Sequence, residues 1–472
     1  MKKTYLLIVF FLLPGIFSAG ESVSTGESVL DTYIRTGLSD NLSLRQHQFS
    51  LEKSLEALNE AKRMFYPTIA VQGRYTRAGG GRLIEFPIGD LMNPVYTSLN
   101  DLYRLQGIPS DYPTNLRNER FPFYRSQEQE TKIRLVQPLV QPALHHNVKI
   151  RSGLSDADRA EISAFSRKLV SEIQTAYYNY LKSCRVFELL EKTEELLREN
   201  LRVSGNLFSI GKATEDVVFR AEAEIADLDQ KRAEAEKNES MARSYFNFLL
   251  NRDLDEKIEK TQTLPTPPLS PDDVEAAVQN ALLKREEFRQ LDVVIGITGQ
   301  QEKLAGAAYL PTLTAVVDYG IQGERYSLGK QDDYWMASLV FEWNIFDGGR
   351  SRAKITQAAL EKSRLEIQRV ELAHQIRLQV VNAAHALTAA RKAVEAAEAR
   401  ERSARESFEI VQKKYDKGMA PQIEYLDART TMTNAGVNRI LAEHELCIKA
   451  ADFERAAAGV DLSRYANEET NQ

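Results

Sequence analysis

The sequence predicts an α+β protein built from a duplicated unit, each copy a pair of strands followed by one long helical hairpin. Three observations carry this. A stretch of sequence returns in the same order further along the chain, and two runs of 68 residues, 143–210 and 350–417, contain no proline. Short segments ahead of those runs alternate apolar with polar residues, the period of a half-buried strand. With 472 residues, 27% charged and 43% apolar, the chain suits an ordered protein of two or three domain lengths.

At the N-terminus Lys2 and Lys3 precede the apolar run Tyr5 to Leu13, and Ser18 and Gly20 follow it, which reads as a secretory signal peptide over 1–20. That run is too short to cross a bilayer as a helix, and a mean hydropathy of −0.39 excludes a multi-pass helical membrane protein. Without the two lysines the net charge of −6 becomes −8, which excludes a general affinity for nucleic acid. Cys184 and Cys447 are the only two cysteines and read as buried small residues on helices. Both fall ~38 Å above the hairpin turns at ~1.5 Å per residue, which permits a disulfide without establishing lateral closeness.

The repeat follows from direct comparison. Ala61 to Tyr75, with Tyr66-Pro67 inside it, returns as Ala305 to Tyr319 with Leu310-Pro311, an offset of 244. Gln137-Pro-Leu-Val140 matches Trp343-Asn-Ile-Phe346 at 206, and Phe208-Ser-Ile-Gly211 matches Tyr415-Asp-Lys-Gly418 at 207. The drop in offset leaves 38 additional residues in the first copy between Pro67 and Gln137, an insertion in the scaffold. The first repeat is read over 21–260 and the second over 261–472.

Each repeat begins with a helix of about 35 residues leading to the proline, started in the second copy by Ser270 as N-cap, Pro271, Asp272 and Asp273. Strands follow at about 64–77 and 131–140, and at about 310–323 and 333–346, with an insert at 78–130. In the third strand Leu313, Ala315, Val317, Tyr319 and Ile321 share one face; in the fourth Trp335, Ala337, Leu339, Phe341, Trp343 and Ile345 do. Trp335 and Trp343 are roughly 26 Å apart at ~3.3 Å per residue, near the height of a lipid-facing band between aromatic girdles. The proline-free runs give helices of roughly 100 Å at ~1.5 Å per residue. They end near Gly211 and Gly418 and turn back, making hairpins over 143–250 and 349–458, with a tail at 459–472.

Catalytic motifs fail on inspection. Gly323 to Gln331 imitates a phosphate loop but has five residues between its glycines and Gln where Ser or Thr is needed. His444-Glu445 lacks a second histidine at 448, and His145 and His146 face different sides of a helix. The chain is read as no enzyme, with no catalytic residue, cofactor or metal site.

Four short strands cannot close a barrel, and an open edge is not tolerated in lipid, so membrane insertion requires oligomerisation. The chain resembles the TolC-like family of outer-membrane efflux proteins over its mature length. The resemblance is carried by Ala61…Tyr66-Pro67, Ala305…Leu310-Pro311, Trp343-Asn-Ile-Phe-Asp-Gly-Gly-Arg350, Tyr415-Asp-Lys-Gly418 and Ile423-Glu-Tyr-Leu-Asp-Ala428. It implies a homotrimer whose twelve strands form one outer-membrane β-barrel continued by a periplasmic α-helical barrel, gated at its periplasmic end. The partners it implies are a periplasmic adaptor (membrane fusion protein), an inner-membrane transporter and outer-membrane lipid, and no nucleic acid.

By the same resemblance Glu424 and Asp427 ring the entrance; a hydrogen bond from Tyr415 to Glu215 or Asp216 is expected to help close it. Ala420 stands where some members place an arginine that ties the closed state. Phe208, Gly211, Thr214, Gly418 and Pro421 form the adaptor-docking tips, and Tyr75, Tyr319, Trp335 and Trp343 the lipid-facing girdle. The alternative is a periplasmic coiled-coil adaptor or structural protein that does not span the membrane, but such a protein normally carries one hairpin rather than two of equal length.

Overall fold

The computed structural model describes residues 28–261, 264–265, 273–326, 329 and 332–465. The expected signal peptide lies outside them, as do Ser270, Pro271 and Asp272.

Each lead segment is two helices instead of one. They are α1 (Val29–Asp40) with α2 (Leu42–Arg63) in the first repeat, joined after insertion of further elements by α6 (Val274–Lys284) with α7 (Glu286–Gly306) in the second. The breaks fall at Asn41 and Arg285, 244 residues apart like the two prolines, and both residues are extended, at φ −63°, ψ 122° and φ −68°, ψ 129°. At the first break Asn41 turns its side chain to two tasks, accepting from Leu44 N at 3.0 Å and donating to Leu249 O at 2.8 Å. The α6 N-cap is Asp273, accepting from Ala276 N at 2.9 Å.

Four strands form one antiparallel sheet in the order β1 (Thr68–Arg77), β4 (Gln127–Val140), β5 (Thr312–Gly323), β6 (Asp333–Glu342). Register sets Val71, Ile133, Tyr319 and Trp335 in one row across all four strands. Ile69, Val71, Tyr75, Ile133, Tyr319, Trp335, Leu339 and Phe341 on that face are exposed. Trp343 lies one residue beyond β6, and its indole N–H donates to Tyr309 O at 3.0 Å. The β4–β5 register shifts between Pro138 and Val140, since proline has no N–H for the ladder.

The insert carries its own structure, namely β2 (Leu83–Phe86) paired with β3 (Glu119–Pro122) and the helix α3 (Ile88–Leu105) between them. Asn93 clamps Leu116 through both backbone groups, at 2.8 and 3.0 Å, and Tyr96 stacks on Tyr112 at 5.5 Å.

The hairpins are α4 (Pro142–Ser209) with α5 (Glu215–Leu249), and α8 (Arg350–Asp416) with α9 (Gln422–Ala456). Two compact units each draw on both repeats: one takes residues 48–161 and 286–372 and holds the sheet and the insert. The other takes the remainder and holds the hairpin turns. In this second unit Ile34, Leu169, Ile173, Tyr177, Phe246 and Leu250 form one core, and Leu190, Leu197, Leu228, Phe408, Tyr425 and Leu426 another nearer the turns. Ala390, Ala397, Ala404 and Val411 are buried at a seven-residue spacing on α8, the seam of closely approaching helices. Cys184 and Cys447 are free and buried, the first against Glu239 and the second against the Pro265 carbonyl. The disulfide that equal heights permitted is not formed.

Candidate functional site

Both hairpins turn by the same device. Gly211 N donates to Phe208 O and Lys212 N to Leu207 O, each at 2.9 Å; Gly418 N donates to Tyr415 O at 2.9 Å and Met419 N to Lys414 O at 2.8 Å. These are Schellman caps, with φ of 72° at Gly211 and 71° at Gly418, a region glycine enters without a Cβ penalty. Thr214 and Pro421 then stand as extended N-caps of α5 and α9. Phe208, Ile210, Met419 and Ile423 are exposed around the two turns.

On α9 the residues Gln422, Tyr425, Leu426 and Arg429 are buried, a helical i, i+3, i+4, i+7 face. Glu424 and Asp427 are consequently turned outward and exposed, side by side one turn apart. Tyr415 lies flat against Tyr425 at 4.8 Å, and Phe408 packs on the same ring at 5.5 Å. Burial pushes the Tyr425 phenol up from its ordinary pKa, so it stays neutral under its two aromatic neighbours.

The expected bond from Tyr415 to Glu215 or Asp216 is absent among the described residues. Asp216 instead accepts from the Thr214 hydroxyl and lies 3.6 Å from Arg220. The first and second hairpins are fastened by other groups. Gln422 Nε2 donates to Val217 O at 3.0 Å and Ser204 Oγ at 3.2 Å, and Arg429 Nη2 donates to Glu224 at 2.9 Å. Burial presses the Arg429 guanidinium below its ordinary pKa, and Glu224 opposes that shift. Sequence spacing carried no signal for these links, because Gln422 and Ser204 are 218 residues apart and Arg429 and Glu224 are 205 apart.

A second set of residues that spacing missed lies on the other face of the sheet. Arg134 forks onto Asp318 with two 2.7 Å bonds, Lys132 reaches Asp318 at 3.6 Å and Glu130 at 2.7 Å, and Tyr334 O–H donates to Glu130 at 2.7 Å. Asp318 is fully buried, and Arg74 joins Glu130 at 3.3 Å from the neighbouring strand. Gly320 faces Lys132, where a Cβ would collide with the Thr131 carbonyl. The girdle residues Tyr75, Tyr319 and Trp335 are exposed on the apolar face near the strand ends that carry the insert, and Trp343 lies at the opposite end.

His146 faces Gln300 at 3.2 Å, and among the described residues no group of His, Cys, Asp and Glu is placed to hold a metal ion. No described helix is long and apolar enough to cross a membrane.

A four-stranded antiparallel sheet with one apolar exposed face, followed in each repeat by a long helical hairpin, is the architecture that the resemblance to outer-membrane efflux proteins implied. Residues 277–459 match the profile of the outer membrane efflux protein family. The chain is 22% identical to outer membrane protein TolC of Escherichia coli (strain K12), over 97% of this chain and 86% of that protein. Its fold is similar to the Campylobacter jejuni CmeC outer membrane channel, at a TM-score of 0.74 and 16% identity, covering 92% of this chain and 88% of that one. It is also similar to the open state of the Neisseria gonorrhoeae MtrE outer membrane channel, at a TM-score of 0.69 and 18% identity, covering 91% and 88%. The chain is thus similar to outer-membrane efflux proteins, by profile over residues 277–459 and by sequence along nearly its whole length.

Proposed function

We propose that the chain is the passive exit duct of a tripartite efflux or type I secretion system, set in the outer membrane and extending into the periplasm. The observation that carries this reading is the sheet itself. It ends in two unpaired strands, β1 and β6, while its outward row Val71, Ile133, Tyr319 and Trp335 is apolar and exposed. Hydrocarbon does not tolerate an open edge, so such a sheet is stable in lipid only when further copies pair with β1 and β6. Three copies give a barrel of twelve strands with the Arg134–Asp318 network turned to the lumen.

On the same reading Glu424 and Asp427, exposed on α9, come together around the threefold axis and line the periplasmic constriction. Crowded carboxylates of one sign draw multivalent cations and are plugged by them. The exposed turns at Phe208 to Thr214 and Gly418 to Pro421 meet the periplasmic adaptor, and an inner-membrane transporter supplies both cargo and driving force. Replacing Glu424 and Asp427 together by Ala, with the protein reconstituted in planar bilayers, relieves block by trivalent cations and weakens cation preference. Unchanged block would move the constriction away from α9.

A further inference from the structure

The groove between α4, α5 and α9 contains a cavity of about 250 Å³ floored by Leu190, Leu228 and Ala235. Arg429 enters it from α9 with its side chain 4% exposed. Only Nη2 of its guanidinium is engaged, by Glu224 at 2.9 Å and more distantly by Thr430 Oγ1 at 3.5 Å. Among the described residues Nε and Nη1 meet no acceptor, and Thr433 Oγ1 one turn further along the same cavity wall has no partner either. A buried cation holds its donors at a cost unless each of them finds an acceptor.

The acids on the walls do not make this a cation site. Glu224 is held by Arg429 and Asp227 by Lys231 at 2.7 Å, while Glu234 is exposed and screened by solvent. What the cavity has to spare is therefore hydrogen-bond donors: two N–H groups of a charged side chain and a hydroxyl that can turn its proton inward. We propose that this cavity binds a carboxylate, or an oxyanion of similar size, held by the Arg429 charge and by the Thr433 hydroxyl. Because Arg429, with Gln422, ties α9 to α5, an acid bound here competes with Glu224 for the same guanidinium and bears directly on how firmly the two hairpins are joined. The inference concerns binding and does not depend on the channel reading.

The test reads the sign of the charge that the cavity prefers. In the full-length chain with Cys184→Ala and Cys447→Ala, Thr433→Cys is exposed to a sulfonate-bearing and to a trimethylammonium-bearing methanethiosulfonate, each rate divided by its rate with a free thiol. The anionic reagent is expected to be faster by on the order of tenfold, the effect of one poorly screened charge at close range. The preference survives in Arg429→Lys and disappears in Arg429→Gln. Protection of the cysteine by added acetate identifies a free acid as the occupant; the same charge preference without protection identifies a carboxylate carried on a partner's side chain. Equal rates, a preference for the cationic reagent, no reaction with either, or a preference indifferent to Arg429→Gln each overturn the proposal.

Discussion

Glu454 on α9 is held largely out of water, and burial alone pushes its carboxyl above the usual value of 4.5. A raised folded-state pKa means the neutral form is the one the fold prefers. Its contribution to stability is complete below the unfolded pKa and is lost as pH rises through the folded value. Glu454→Gln keeps the neutral shape at every pH, so by calorimetry its Tm should exceed that of the parent at pH 7, the two converging below about pH 4. A lower Tm for the variant at pH 7 would mean that the carboxylate has a stabilising partner in the assembly.

The hairpin glycines are a different case. Nothing lies within 4 Å of a Cβ built at Gly211 or Gly418, yet both have positive φ. Ala at either position should cost about 1 kcal/mol in denaturant unfolding, wholly from the backbone, and Leu no more than Ala. If Leu costs distinctly more, something packs over the turn. These glycines were legible in the sequence because a helix of that length has to stop, and glycine is what stops it. Arg429 was not, since only folding brings Glu224 to it across 205 residues.

At the scale of elements the strands were the most legible part, because a two-residue period survives in any context that buries one face. Leu313 to Ile321 alternate in the sequence, and register confirms that Leu313, Ala315, Val317, Tyr319 and Ile321 share a face. The helix breaks were less legible: Asn41 is a favoured N-cap and accepts from Leu44 N, a local trace of the first break. Arg285 is a good helix former and left none. The polar face of the sheet was equally hidden, since alternation tells that a face is polar but not which charges meet. Asp318→Asn removes the charge that faces both Arg134 and Lys132. Loss of one member of such a group leaves the two cations facing each other without their shared counter-charge. If the chain assembles as proposed, its oligomer on unboiled gels should dissociate at lower temperature in the variant, and adding Arg134→Gln should restore part of the loss; an unchanged transition would show that the Asp318 charge does not hold the sheet together.

For the whole molecule, orientation in the membrane is the property that the insert reports. It hangs from the ends of β1 and β4 that lie furthest along the strands from Pro67 and Pro142, with Ala78 N still bonded to Ser126 O at 3.1 Å. A protease given to intact cells should therefore cut between Ala78 and Ser126; cutting only after the outer membrane has been permeabilised would reverse the topology. The central strand pair also constrains the order in which this chain matures. Arg134 on β4 and Asp318 on β5 are 184 residues apart, with a complete helical hairpin and α6 and α7 between them. Contacts so distant along a chain close late, because the entropy of the intervening loop must be met before they form. A polypeptide stalled before Thr312 can join β1 to β4 only, leaving the far side of β4 bare and ready to add any passing strand. Such a half-made molecule is adhesive, so interrupted export should leave aggregates of the first repeat where completed export leaves none.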